Sequence, residues 1–241
     1  YWQGSSPYFE PWYDNSRTRD DHGMSNIFVS HMKNMNDPRI SVIMKPAATD
    51  GEYRGYENGA LSAPSNIRTI SRMGAMYREE EAGFTPFMKS CENYFIIAEA
   101  ALRGWNVGMT AEAAYDKAVR LSMDDNGIPS ADADAYLAGA GKWDGTMERV
   151  YMEEWVALFK NNLEAWSLYR RTGYPKAIQE SGEYPGKFCI YGSDHNDVPF
   201  RMPYPNNEYL YNNDNISAAS SGIVDYAWGE KMWWDTRTNV K

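Results

Sequence analysis

Cysteine is almost absent: Cys91 and Cys189 are the only two in 241 residues. Two are too few for a disulfide-built scaffold, and no CxxC spacing suits zinc or thiol redox chemistry. They leave two readings open, a single bridge or two inert buried thiols. Long apolar runs are missing as well, since no stretch approaches the roughly 18 residues that a membrane-spanning helix needs. A basic excess is also lacking. With 24 Lys and Arg against 33 Asp and Glu the formal net charge is −9, a field that repels phosphate backbones and anionic lipid, so nucleic acid is excluded as a partner. His22, His31 and His195 stand apart, with no HExxH or comparable ligand spacing. Neither a GxSxG elbow nor a glycine-rich phosphate loop occurs. The opening Tyr1-Trp2-Gln3 has no basic and apolar leader pattern, which reads as a processed or excised chain.

Aromatic residues, by contrast, are plentiful. They make up 15% of the chain, with 9 Trp and 18 Tyr, against an otherwise ordinary globular composition. Tyr and Trp join a broad apolar face to a polar edge, so they serve both wet recognition surfaces and irregular cores.

Along the chain, residues 1–21 interleave aromatics with Gly, Ser, Pro, Asp and Asn, which favours turns. Helical spacing of Ile27, Phe28 and His31 or Met32 predicts a short helix over 25–33, ended by Asn36-Asp37-Pro38. Residues 39–85 carry no sustained period and read as a long loop with a short hairpin. The spacing of Tyr94, Ile97, Ala98, Ala101, Leu102 and Trp105 predicts a helix over 88–103, stopped by Gly104. Thr110 is placed to cap a second helix with a stripe of Ala114, Tyr115, Ala118 and Leu121. The pair resembles one tetratricopeptide unit, with Ala111, Tyr115 and Ala118 on the pattern of its second helix. A single repeat cannot cover its own apolar faces, so it must dock on further helices inside or outside this chain. A short helix is predicted over 131–138. Thr146 is placed to cap the next one, with Tyr151, Trp155, Leu158 and Phe159 inward. Asn161-Asn162 interrupts before a helix carrying Leu163, Trp166 and Tyr169 or Arg170, closed by Gly173 and Pro175. Trp105, Trp155 and Trp166 are thereby expected in the core. Short β-like runs over 188–191 and 198–202 precede a mostly irregular end.

Several strings carry a family resemblance. ENYFIIAEAALRGW followed by TAEAAYDKAVRLS, ERVYMEEWVALFKNNLEAWSLYRRTGYP, RMPYPNNEYLYN and KMWWDTR occur in that order. Upstream stand RDDHGMSNIFVSHMKNMNDPRI and EYRGYENG. Together they resemble the SusD/RagB family of outer-membrane nutrient-binding lipoproteins. The resemblance implies a mainly α fold, a tetratricopeptide-like helical repeat scaffold with a large loop-rich irregular subdomain and a few short β-strands. It implies the C-terminal half of a single SusD-like domain: a loop-rich segment over 1–87, repeat-type helices over 88–174 and an irregular segment over 175–241. It further implies non-enzymatic binding of an oligosaccharide or peptide at the cell surface. Lipid anchoring through a segment outside this chain is implied as well, as are partnership with a SusC-like TonB-dependent transporter and with the protein's own N-terminal half.

The aromatic loop supplies the candidate ligand contacts: Trp2, Tyr8, Trp12, Tyr13, Asp14, Asn15 and Arg17, which combine ring faces with carboxamide, carboxylate and guanidinium groups. Tyr53 and Tyr56, with Arg54, form a second cluster. The competing reading is that these rings fill the core of an irregular subdomain. Glu79-Glu80-Glu81 and Glu153-Glu154 read as solvated faces, not as the opposed carboxylates of a glycosidase. Asp194-His195-Asn196-Asp197 reads as a polar turn, lacking the glycine and terminal Glu of a calcium loop. No catalytic residue, metal or cofactor is expected. The remaining alternative is a tetratricopeptide-like adaptor that binds protein.

Overall fold

The computed structural model describes residues 2–57, 65–176, 199–223 and 229–238. Among them the chain is mainly helical, with eleven α-helices and one two-stranded antiparallel ladder. The helical class is the one the sequence predicts.

The first core is built on α5 (Ser90–Leu102) and α6 (Ala111–Asp125), which pack along each other. Cys91, Phe95 and Ala98 meet Ala114, Tyr115 and Ala118, all fully buried. Alanines at the contact let the two backbones come close. Gly104 ends α5 at φ +82°, a conformation a side chain resists. The Thr110 hydroxyl accepts the Ala113 amide at 3.2 Å and starts α6. The buried line of α5 is rotated from the expected one. Phe95 and Cys91 lie at its centre, Tyr94, Ile97 and Leu102 at its edge, and Trp105 is 67% exposed. The helix is apolar nearly all round, so period alone does not select the facing line.

Helices α7 (Ser130–Ala138), α8 (Met147–Ala157) and α9 (Asn162–Thr172) complete this core with Tyr136, Leu137, Val150, Tyr151, Leu168 and others. Thr146 caps α8 by accepting the Arg149 amide at 3.1 Å, as predicted. Gly173 ends α9 in the left-handed region. On α9 the expectation holds for Tyr169 and Arg170, which are buried with Leu168, and fails for Leu163 and Trp166, 79% and 49% exposed. The chain turns sharply at Lys160, φ 72°, just before α9 begins.

The second core joins α2 (Asn26–Asn34), α3 (Ile40–Ile43) and α4 (Ala75–Arg78) to α8. Met24, Phe28, Val29, Met32, Ile43, Met44, Tyr77 and Val156 are its buried members. Phe28 meets Trp155 edge-on at 5.0 Å, and Tyr77 meets Phe159 at 4.8 Å. Trp155 packs against both cores while remaining only half-buried. In place of a tight hairpin, β1 (Met44–Lys45) pairs with β2 (Arg72–Met73) across a long excursion. The opening segment also departs from expectation. Pro11 and an acidic cap start a helix, α1 (Pro11–Thr18), where turns were expected. Toward the end, α10 (Asn206–Tyr211) and α11 (Asn213–Ser220) replace the irregular reading, and residues 199–202 form no strand. The 188–191 run and the 194–197 turn lie outside the described residues, as does Cys189. Cys91 is a buried free thiol, its pKa pushed up to about 12 by burial.

The two cores are tied by one buried ionic knot. Arg39, fully buried, donates to both Asp37 oxygens at 2.6–3.1 Å, to Glu153 Oε2 at 2.7 Å and to the Ser122 hydroxyl at 2.9 Å. The Tyr136 hydroxyl donates to the other Glu153 oxygen. Glu153 is therefore no solvated face: it is 1% exposed, and Glu154 beside it 7%. Removing one partner of such a knot strands the others in low dielectric. Arg39→Ala is expected to cost about 3–5 kcal/mol, whereas Thr146→Ala, which loses only a cap, costs about 1 kcal/mol. Urea unfolding of the two variants against the parent measures both.

Candidate functional site

The aromatic segment is shaped by α1 and by what anchors it. Glu10, 1% exposed, accepts the Trp12 and Tyr13 amides through Oε2, each at 2.9 Å. Its Oε1 lies 3.0 Å from Lys160 Nζ, off hydrogen-bond alignment but close enough for an ion pair. Lys160 also donates to the Tyr77 carbonyl at 3.2 Å, and burial lowers its pKa. Its ammonium sits 5.2 Å from the Trp12 ring and 4.9 Å from the Phe84 ring. Trp12 meets Phe159 edge-on at 5.8 Å, so its ring rests against the second core. α1 is thus pinned from beneath by one buried acid and one buried base.

The outer face of α1 carries a different set. Tyr13 and Arg17 are four residues apart on α1, and Phe9 joins them from the extended chain before its cap. The Arg17 guanidinium lies 4.4 Å above the Phe9 ring, and Phe9 lies 5.4 Å from the Tyr13 ring. Asp14 pairs with Arg17 at 2.9 Å, and the Asn15 amide approaches His22 at 3.4 Å. The Tyr13 hydroxyl donates to Glu81 at 2.8 Å, and that bond raises its pKa. Trp2 joins from the side: its indole N–H donates to Thr85 Oγ1 at 2.9 Å and its backbone N–H to the Gly83 carbonyl at 3.1 Å. The Glu10 amide bonds the Glu81 carbonyl at 3.0 Å, so the opening strand and α1 both rest on the 81–85 turn. Trp2 and Tyr8 are 38% and 55% exposed.

The structure thus brings Trp2, Tyr13, Asp14 and Arg17 onto one strip supported by the 81–85 turn, while Asn15 lies round α1 from it toward His22. Tyr53 and Tyr56 are strapped onto α2 instead. The Tyr53 carbonyl accepts Lys33 Nζ at 3.2 Å, and the Tyr56 backbone pairs with Met24 and Asn26 at 2.7 and 2.8 Å. Arg54 pairs with Asp50. Phe9 and Glu81 complete the strip and escaped the sequence reading. The i, i+4 relation of Phe9 to Tyr13 was available, but only if the segment was first read as helical. Chemically the strip offers two tilted rings, a guanidinium and a carboxylate, a set suited to a neutral, hydroxyl-rich ligand. Among the described residues no His, Cys, Asp or Glu group could hold a metal ion. Of the acidic run, Glu79 pairs with Lys45 and Glu81 with Tyr13.

This helical frame with its long irregular strip matches a known family. The chain belongs to the SusD-like family described as starch-binding and associating with the outer membrane, whose profile matches residues 1–205. It is similar to a chitin-binding SusD homologue of Flavobacterium johnsoniae, at 27% identity and TM-score 0.73, over 98% of this chain and 54% of that one. It is similar also to a SusD-like protein of Bacteroides thetaiotaomicron, at 27% identity and TM-score 0.69, over 90% and 51%. A SusD homologue of Bacteroides uniformis matches at 26% identity and TM-score 0.74, over 96% and 54%. The chain therefore spans about half the length of these solved structures. No curated protein matches it.

The anchor of the strip is testable. Glu10→Ala removes the cap of α1 and leaves Lys160 buried without its counter-charge, an expected loss of about 3–5 kcal/mol. Urea unfolding monitored by tryptophan fluorescence reads this, since Trp12 lies beside the lost pair.

Proposed function

We propose that this protein is a non-enzymatic binder of oligosaccharide, presented at the outer-membrane surface by a lipid-anchored parent and delivering its cargo to a SusC-like TonB-dependent transporter. The observation that carries the reading is the Arg17–Phe9–Tyr13 column with Asp14 beside it. Sugars present an apolar ring face and a hydroxyl rim, and such a column answers both. The chitin-binding and starch-binding descriptions of the relatives support a glycan over other cargo. A peptide is the alternative ligand within the same family. Among the described residues no helix is long and apolar enough to cross a membrane.

Isothermal titration of the full-length protein against chito-oligosaccharides, malto-oligosaccharides and peptides tests this. Tyr13→Ala and Arg17→Ala are each expected to weaken sugar binding about tenfold, or about 1.4 kcal/mol. Both residues are on the outer face, so the unfolding free energy from urea titration should stay within about 0.5 kcal/mol of the parent. Unchanged affinity in both variants would move the site elsewhere. Sugar release by the purified protein would contradict the non-enzymatic reading.

A further inference from the structure

α2 and α8 border a cleft of about 580 Å³, within the roughly 300–1,000 Å³ common to small-ligand pockets. Each helix lends it one face. Asn26, Ser30 and Asn34 recur every fourth residue along α2, and Glu148, Met152 and Trp155 follow helical spacing along α8. No residue of the α1 strip lines this cleft.

Trp155 gives the cleft its ring. Phe28 meets it edge-on at 5.0 Å and His31 at 5.8 Å, yet the indole remains only half-buried. A ring held by two others has little freedom left to lose when a ligand stacks on it. The polar groups around it have hydrogen-bonding capacity to spare. The Asn34 carboxamide is exposed and makes no hydrogen bond with any described residue. The Ser30 hydroxyl donates to Asn26 Oδ1 at 3.4 Å, which leaves its own lone pairs for a donor. His31 Nε2 is buried and has no hydrogen-bond partner, a costly state that a ligand hydroxyl would end. Burial lowers the pKa of this imidazole, which keeps it neutral.

The charges of the lining cancel. Arg149 pairs with Asp144 at 3.3 Å, and Glu148 is held by Lys176 at 3.5 Å and by the Tyr174 hydroxyl at 3.0 Å. An ionic ligand would have to break these pairs, whereas an uncharged one finds an indole face, carboxamides and a hydroxyl ready. We propose that this cleft is a second saccharide site, taking one or two pyranose units of an uncharged sugar, with a ring face on Trp155 and hydroxyls on Ser30, His31 and Asn34. It lies apart from the strip on α1 and does not rest on the reading given to that strip.

Fluorine NMR of the full-length protein, with fluorine-labelled tryptophan, tests the site. Trp155→Phe, which keeps a ring between the two cores, assigns the Trp155 resonance by its loss. That resonance is expected to move on titration with maltose or N,N′-diacetylchitobiose, and Asn34→Ala combined with Ser30→Ala to raise the midpoint about tenfold. Trp2 and Trp12 report the strip, so failure of that site shows in their resonances and leaves the Trp155 titration readable. A Trp155 resonance that stays still with both sugars overturns the proposal, and so does a midpoint that the two substitutions leave unchanged. Movement with the zwitterion alanyl-alanine and with neither sugar overturns the assigned ligand class.

Discussion

The guanidinium of Arg39 holds the arrangement together. It comes from the turn between α2 and α3, yet its partners sit on that same turn, on α6 and on α8, with Tyr136 of α7 bonded to the shared Glu153. Four parts of the chain, distant in sequence, therefore meet at one buried charge. Burying an arginine is unfavourable unless every N–H finds an acceptor and the charge is matched. Here two carboxylates and a hydroxyl take four of its five N–H groups and match the charge, so the position of each element is fixed by the needs of the others.

A smaller pair extends the same logic to the surface. Lys160, held in the left-handed region at φ 72°, reaches Glu10 and the Tyr77 carbonyl. Strained backbone persists where its surroundings over-determine it. Through Glu10 this turn between α8 and α9 sets the start of α1, and the start of α1 sets the phase at which Tyr13 and Arg17 face outward. The candidate binding strip thus rests on the helical frame through two buried ionic contacts, while the strip's own polar groups stay near water. Such a division suits a binding surface, which works best when its supports are stiff.

Much of the frame was legible in the residues. Thr110, Thr146, Gly104 and Gly173 mark helix ends because capping and left-handed turns have local chemical requirements that a single residue type meets. The stripe of α6 was equally readable, since its polar face is clearly polar. What escaped were features decided by distant partners. Phe95 was hidden in a helix apolar on most sides, and Trp105 and Trp166 looked like core by residue type although they stand 67% and 49% exposed. Glu153 resembled a surface acid because its partner Arg39 lies far away in sequence. In the strip, Trp2, Tyr13 and Arg17 were recognisable by type, whereas Phe9 and the inward turn of Trp12 followed from a helix that the Gly- and Pro-rich surroundings concealed.

Arg39 is expected to make the loop-bearing segment and the repeat helices open as one unit, which keeps the strip in register. Native-state hydrogen exchange measures this directly. The amides of Val29 and Met32 on α2 and of Val119 and Met123 on α6 should share one opening free energy and one dependence on denaturant. A lower, separate opening of α2 while α6 stays protected would contradict the claim.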